Sequence, residues 1–479
     1  MIKLRPYQQL TIDRVIACIK QGIKSIIIQA GTGAGKTIIA SRIIKGADAK
    51  GSRVLFLAHR TELITQCSEK LHDLGIHHGI IKPGFQPNIS AKVHIASIGT
   101  LVNRSFPAPD IIIIDEAHHA RAASYEKIIA RYPDALLLGL TATPARTDGK
   151  GLGTLFKTIV CVTTYTELIN QEYLVPFRIF EPTQIDFKGV DTCGGDFNKK
   201  QAHERLAKSK IYGDAIEQWK ALAAGRSTIL FAASIEDSKR FMESFNSIGV
   251  VAAHVDGGTK EDERRGIFSD FRAGRIKVVC NVGVATEGTD LPIASCISLC
   301  NPTKSLVLHH QMVGRGLRPC DGKEDCIILD HVGNHRRLGW IDDEIEWTLD
   351  CQKKARNKTQ EGTTTPVRTC PKCYLSMRGG TNKCERCGHE FKVKTRELKR
   401  VEGDLKEASR NGKPVYKSNR DELTYFAERV LEGREKGYRP GFALGRFKAV
   451  FGRFPRFEPV DVQIRVMELD LEAKEKQCV

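Results

Sequence analysis

The sequence predicts an α/β protein built of two tandem parallel-sheet domains, followed by a four-cysteine ribbon and a small, basic, mainly helical tail. Three observations predict it. The apolar run Ser25-Ile26-Ile27-Ile28 leads into the glycine-rich stretch Ala30-Gly31-Thr32-Gly33-Ala34-Gly35-Lys36-Thr37, which reads as a strand, a tight turn and the start of a helix near Lys36. A second run, Asp110-Ile111-Ile112-Ile113-Ile114, is apolar without alternation and ends on Asp115-Glu116-Ala117-His118, as a strand buried on both faces of a parallel sheet does. Further on, Cys370-Pro371-Lys372-Cys373 and Cys384-Glu385-Arg386-Cys387 are separated by ten residues, the spacing of two knuckles that meet on one metal ion.

The glycine-rich turn is a phosphate cradle. Backbone N–H groups of such a loop, together with the positive end of the helix that follows, bind the phosphates of a nucleotide without a base-specific contact. Lys36 would reach the β- and γ-phosphates and the Thr37 hydroxyl would ligate Mg²⁺. Ala30 stands where the strict pattern has glycine, and turns of this kind also serve plain packing. The acid pair sharpens the reading, because open α/β sheets bind ligands at the carboxyl ends of their strands. Asp115 can hold Mg²⁺ and Glu116 can orient or deprotonate the water that attacks the γ-phosphate; capping of the next helix is the alternative. In Gln311-Met312-Val313-Gly314-Arg315-Gly316-Leu317-Arg318 two arginines three residues apart would share one helix face and could stabilise the charge of phosphoryl transfer from a neighbouring domain. Surface ion pairing is the commoner fate of such residues.

On these motifs the chain resembles a superfamily 2 helicase or translocase of DEAH type, in which two RecA-like domains bind ATP between them. The resemblance covers about the first 350 residues. Leu4-Arg5-Pro6-Tyr7-Gln8 is similar to the adenine-reading motif, with Arg5 and Gln8 on the nucleotide side. Ala58-His59-Arg60-Thr61-Glu62-Leu63 and Ser97-Ile98-Gly99-Thr100-Leu101 resemble strand-tracking motifs, implying nucleic-acid contacts at His59, Arg60 and Thr100. Thr141-Ala142-Thr143-Pro144 resembles the motif that links hydrolysis to strand contact. Phe231-Ala232-Ala233-Ser234 and Ala285-Thr286-Glu287-Gly288-Thr289-Asp290 resemble motifs of the second domain, which makes Ser234 and Thr286 candidate phosphate contacts of the nucleic acid and Gly288 and Asp290 candidate nucleotide-side residues. Met312 departs from the pattern, since many relatives carry arginine there, so Arg315 and Arg318 remain the finger candidates.

Within that superfamily the chain is most similar to the RadD (YejH-type) bacterial and phage DNA helicases. The segments carrying this likeness are Leu140 to Leu152, Asp330-His331-Val332-Gly333-Asn334 with Glu346-Trp347-Thr348-Leu349-Asp350, and the four-cysteine module after the motor. The resemblance implies ATP-driven movement on, or remodelling of, single-stranded, forked or branched DNA in repair, recombination or replication, with protein partners from that machinery. The alternatives are a DNA-stimulated ATPase that remodels or recruits a protein without unwinding, the motor subunit of a restriction complex, and an RNA helicase.

Composition agrees. At 479 residues two or three domains are expected. No apolar run reaches membrane-spanning length and the first motif begins within ten residues of the start, so a cytoplasmic protein of a bacterial or phage-infected cell is expected, with no membrane partner. Eleven of the 15 cysteines are scattered singly, as reduced core cysteines are. The remaining four, Cys370, Cys373, Cys384 and Cys387, fill a closed structural Zn²⁺ site and leave His389 spare; a redox pair would account for one CxxC but not for the second. Of the net charge of +17, residues 351–479 carry +12, with 30 Lys and Arg against 18 Asp and Glu. A basic appendage points to polyanion contact, with a solvated mixed-charge face as the alternative. From Arg439 to Phe457, phenylalanines interleaved with arginines could stack on bases, although Ala443, Phe447, Val450 and Phe451 fall at helical spacing and fit a small core helix equally well.

These placements give a first domain over residues 1–164, with strands ending at Gln29, Ala58, Ser97, Asp115 and Leu140. A second domain spans 165–350, with strands near Thr228 to Ala232, Val250 to His254, Ile276 to Asn281, Ser295 to Leu299 and Cys326 to Asp330. A linker over 351–366, the ribbon over 367–394 and the tail over 395–479 complete the chain. Between Ile185 and Lys208, Gly189, Gly194 and Gly195 suggest an exposed loop. Because every nucleotide motif ends by Arg318, truncation after about Lys358 is expected to leave basal ATPase intact.

Overall fold

The structure is a computed structural model that describes residues 4–85, 88, 90–104, 106–120, 122–144, 151–181, 187–207, 211–286, 288–349, 367–391, 419–439 and 441–477. Residues 145–150 of the segment Leu140 to Leu152, Glu287, Asp350, the expected linker 351–366 and residues 392–418 lie outside the described residues, as do parts of the segment Ile185 to Lys208. Two compact units divide the chain, Met1–Val393 and Lys394–Val479.

Isoleucine-rich runs make the centre of the first sheet because β-branched side chains pack on both faces when helices cover both. The strands are β1 Ser25–Gln29, β2 Val54–Ala58, β3 His78–Ile81, β4 Val93–Ser97, β5 Ile111–Asp115, β6 Leu136–Thr141 and β7 Thr158–Cys161. They form one parallel sheet in the order β3-β4-β2-β5-β6-β1-β7. β3 and β7 were not among the expected strands. Both are four-residue edge strands with half-exposed positions, so neither carries the continuous apolar run that marks the central ones.

The second sheet contains β8 Phe177–Phe180, β11 Thr228–Ala232, β12 Ala252–Val255, β13 Val278–Asn281, β14 Cys296–Cys300 and β15 Cys326–Asp330, in the parallel order β12-β13-β11-β14-β15-β8. β8 is the unexpected member, again a four-residue edge strand. The segment expected to be an exposed loop is instead a small folded insertion. Gly194 and Gly195, at φ +60 and +90, form the turn of a hairpin between β9 Thr192–Cys193 and β10 Asp196–Phe197, and the helix Lys199–Ala207 follows. Phe187, Val190, Phe197, Ala202 and Leu206 are buried there, and Asp196 anchors the hairpin by accepting from the Thr303 hydroxyl and the Lys304 N–H. The glycines mark a turn within this insertion, not a lack of structure.

The ribbon is built into the second lobe. Its strands, β16 Val367–Thr369 and β17 Ser376–Arg378, pair antiparallel, and Leu375 bridges Phe180 at the open edge of β8. Glu181, which is 3% exposed, is paired with Arg336 and accepts from the Thr369 hydroxyl. Arg378 pairs with Asp342 and Asp343 and lies over the Trp340 ring. A cut after Lys358 therefore bares a sheet edge and takes the Thr369 hydroxyl, though not Arg336, from the buried Glu181 carboxylate, so the ribbon is packed on the motor lobe and its removal bears on the expected basal ATPase. Such a truncation is expected to lose roughly 0.5–1.5 kcal/mol for each hydrogen bond removed, and so to melt below a chain ending at Val393, which keeps the ribbon. Thermal melting of the two truncations side by side checks this, and equal melting temperatures would refute it.

The second unit contains the helices Asn419–Glu435, Phe442–Phe451 and Pro459–Gln477. Phe447 is completely buried among Tyr425, Phe426, Phe451 and Phe457. The core-helix reading of this stretch holds, and most of the interleaved rings are engaged with one another. Phe454 stays exposed with Lys448 over its ring.

Candidate active site

Strand order assembles the site. β6 lies between β1 and β5, so the glycine-rich turn after β1 and the acid pair at the end of β5 stand about 10 Å apart, two strand spacings, on either side of Thr141-Ala142-Thr143. The turn is drawn tight by Ala30 N–H donating to the Thr141 carbonyl at 2.9 Å and by left-handed Gly33 and Gly35, at φ +90 and +80. Gly35 then starts the helix Lys36–Asp48. A β-carbon on Gly35 would stand 2.5 Å from the Gln8 amide nitrogen, which donates to the Ala34 carbonyl at 3.2 Å. Gln8 and the cradle are thus in direct contact, and Arg5 stacks on Tyr173 at 4.0 Å beside them.

Glu116 sits in a left-handed conformation at φ +49, unusual for a residue with a β-carbon and a form of strain that gathers at functional sites. Its N–H donates to the Asp115 carboxylate at 3.0 Å, and its own carboxylate lies 3.6 Å from Lys36 Nζ and 3.3 Å from His118 Nδ1. The His118 ring also meets the Thr141 hydroxyl at 3.1 Å, and the Thr143 N–H donates to that hydroxyl. Two buried carboxylates face one lysine. This is a donor set that fits a divalent cation, which Asp115 and Thr37 would hold.

Burial, and after it the charge of Glu116, push Asp115 up to about 7, against the opposing pull of Lys36 and His59. The folded carboxyl keeps its proton well above the roughly 3.9 of an unfolded aspartate, so this group costs stability as pH rises through that interval, and a bound cation offsets the cost above it. A ligand must lose its proton to bind metal. Mg²⁺ affinity is therefore expected to fall below about pH 7, approaching tenfold per unit. Titration of Mg²⁺ in the presence of a non-hydrolysable ATP analogue at several pH values checks this, and a flat affinity would reject the assignment.

Across a cleft of about 990 Å³ the second lobe contributes Gly288, Asp290, Arg315 and Arg318 opposite Lys36, Thr37, Asp115 and Glu116. The two arginines do not share a helix face as expected. The helix Leu306–Gly314 ends before them, and they stand on the turn that follows; Gly314 itself packs against Thr32, where a β-carbon would come within 2.5 Å. Arg315 is buried and donates to the carbonyls of Thr286 and Thr289. Arg318 pairs with the Asp290 carboxylate. The lobes are further joined by Arg264 with Glu62 at 2.5 Å and by Gln66 donating to the Gly288 carbonyl at 2.6 Å.

The residues expected to hold nucleic acid fall in both lobes. His59 and Arg60 follow β2, and Arg60 donates to the Gly283 carbonyl at 3.3 Å. Thr100 lies in the short helix Ile98–Leu101. Ser234 caps the helix Ile235–Ser247 and donates to Asp237, which also holds His203, and the Thr286 hydroxyl donates to the Gly283 carbonyl. Both hydroxyls are therefore already engaged within the lobe. Sequence reasoning missed Tyr165, whose hydroxyl accepts the Thr32 N–H at 2.9 Å, as well as Tyr173 and Arg264. None of the three belongs to a motif, and only the return of the chain brings Tyr165 against the glycine-rich turn and Tyr173 and Arg264 to the cleft.

The ribbon sulfurs fit one tetrahedral ion. All four ligand atoms lie within 4.8 Å of one another, and the pairs Cys370 with Cys387 and Cys373 with Cys384 are 3.5 Å apart. Zinc–sulfur bonds of about 2.3 Å imply edges near 3.8 Å, whereas a disulfide would need about 2.05 Å. Among the described residues this is the one such cluster. No described helix is long and apolar enough to cross a membrane.

Two lobes with a phosphate cradle and acid pair on one and arginines on the other define a two-lobed P-loop ATPase. Residues 1–146 match the family described as Type III restriction enzyme, res subunit, and residues 212–320 the Helicase conserved C-terminal domain. A "51.5 kDa protein" of a Lactococcus phage is 35% identical over 384 residues, covering 79% of this chain and 81% of that protein. The "Putative ATP-dependent helicase IRC3" of Saccharomyces cerevisiae is 33% identical over 362 residues, covering 69% of this chain. This chain spans 51% of the yeast protein's length. The solved structure of the ATP-dependent Type ISP restriction-modification enzyme LlaBIII bound to DNA shares the fold with a TM-score of 0.52 and 19% identity, over 68% of this chain and 27% of that one. The chain belongs to the superfamily 2 helicases and is a nucleic-acid-dependent ATP hydrolase.

Proposed function

We propose that this protein is a DNA translocase or helicase that closes its two lobes on ATP and reopens after hydrolysis, so that alternating grip moves it along one strand. The observation that carries the reading is the cleft that sets Lys36 and Glu116 on one lobe against Arg315 and Arg318 on the other, because hydrolysis then depends on lobe closure. In this reading Lys36 and the cradle bind the phosphates, Thr37 and Asp115 hold Mg²⁺, Glu116 orients the attacking water, and the arginines neutralise developing charge. His59, Arg60, Thr100, Ser234 and Thr286 contact the strand. A polyanion is supported by the net charge of +17, and DNA as that polymer by the DNA-bound relative of the same fold. The RadD-like placement within the superfamily and work in repair or at replication forks belong to this proposal, as does zinc in the ribbon.

The second reading is the motor subunit of a restriction complex, favoured by the match of residues 1–146 to a restriction-enzyme family. ATPase rates on single-stranded, duplex, forked and four-way DNA and on matching RNA, together with strand displacement on forked and plain duplexes, separate the possibilities. Stimulation and displacement on DNA support the helicase. Stimulation by duplex without displacement supports a restriction-type translocase, and stimulation by RNA alone overturns the DNA reading.

A further inference from the structure

A column of three imidazoles leads from Glu116 toward the second lobe. His118 Nδ1 lies 3.3 Å from the Glu116 carboxylate and meets the Thr141 hydroxyl at 3.1 Å. The His119 ring lies 4.1 Å from that of His118, and the His59 ring meets His119 edge-on at 4.9 Å. At the outer end Arg60 donates from Nε to His59 Nε2 at 3.4 Å and from Nη2 to the second lobe's Gly283 carbonyl at 3.3 Å. The same carbonyl accepts the Thr286 hydroxyl, and the Thr286 carbonyl in turn accepts from Arg315. The column thus begins at the water-orienting carboxylate and ends on the turn of the second lobe that also holds an arginine of the cleft.

Glu116 is poised to feel a displacement of this column. It is left-handed at φ +49, and its carbonyl accepts the His119 N–H at 3.0 Å, so His119 touches it through the backbone as well as through His118. Packed rings move together because interiors are close-packed and have few discrete arrangements. The geometry points to His119 as a positioning residue that couples the two lobes, locking His118 and hence Glu116 into the hydrolytic arrangement when Arg60 engages the second lobe. This rests on the nucleic-acid-dependent ATPase and adds to it the route by which closure reaches the carboxylate.

The test compares His119→Ala with His119→Phe, which keeps a flat ring in the column but not the imidazole nitrogens. The readouts are ATP turnover with and without single-stranded DNA, KM for ATP, DNA affinity and melting temperature. His119→Ala is expected to lower the ratio of stimulated to basal turnover about tenfold, the upper range for a residue along a coupling route, with KM and DNA affinity within about twofold. His119→Phe should restore the ratio. His119→Gln, which fills the space without a ring, carries the test should the alanine variant melt below assay temperature. A ratio that stays at the wild-type value in the alanine or glutamine variant overturns the inference, as does a folded phenylalanine variant as uncoupled as alanine. A wild-type enzyme that DNA and RNA both fail to stimulate instead removes the motor reading on which the inference rests.

Discussion

Replacing Arg318 with alanine is expected to slow ATP turnover about 10³-fold, the scale of a lost arginine finger, while ATP affinity changes little. Arg318 is the better placed of the two arginines to turn toward a phosphate. Its partner Asp290 is 61% exposed at the side chain, and exposed pairs contribute little, so release costs about 1 kcal/mol or less. Its side chain also lies against the cradle, with Cγ 3.9 Å from a β-carbon placed on Gly33. Arg315 is differently held, since its guanidinium donates to two backbone carbonyls and is buried. Its removal would leave those carbonyls without these donors, so Arg315→Ala is expected to lose about 1–3 kcal/mol of stability in addition to activity. Single-turnover hydrolysis, binding of a fluorescent ATP analogue and thermal melting of both variants decide the matter. Arg318→Ala turning over within a few-fold of wild type would hand the finger role to Arg315.

Glu116→Gln is expected to bind ATP and Mg²⁺ yet hydrolyse about 10²–10⁴-fold more slowly, the range for loss of a positioned general base. Glutamine keeps the volume and can still meet His118 and the Thr141 network, but it cannot take a proton. The variant should therefore accumulate the closed state, and its DNA affinity in the presence of ATP should exceed that of wild type. Asp115→Asn gives the contrast, because losing the proposed cation ligand should weaken Mg²⁺ binding before it affects any later step. Weaker ATP binding with undiminished turnover per bound nucleotide in Glu116→Gln would reverse the role proposed for it.

The legible parts of this chain are those whose chemistry is local. A cradle needs several glycines within one turn, an acid pair needs a buried strand to deliver it, and a four-sulfur site needs two CxxC knuckles. Each can be read within about twenty residues, and the structure sets the first two at one cleft and gathers the four sulfurs into a cluster. β3, β7 and β8 escaped because a four-residue edge strand leaves no period to detect. The segment containing Gly194 and Gly195 was misread because a hairpin turn and a loop call for the same residues. The phenylalanines near Phe447 left two readings open, since a core and a base-stacking surface select the same side chains; burial of Phe447 decides for the core.

Sequence alone was enough for the two-lobed α/β architecture and for picking out the glycine-rich turn, the acid pair and the arginines that the fold gathers at one cleft, because strand burial and tight turns impose residue types at fixed short spacing. Tertiary structure was needed for everything that depends on distant segments converging. Tyr165 reaches the Thr32 N–H, Arg315 is tied to Thr286 while Arg318 is left to Asp290, the ribbon seals the edge of β8 through Glu181, and His59 meets His119 edge-on. Such contacts join residues tens to hundreds of positions apart, and either partner would look the same in sequence if the other were absent. Packing and the pairing of buried polar groups select them, and those terms exist only once the chain has closed on itself.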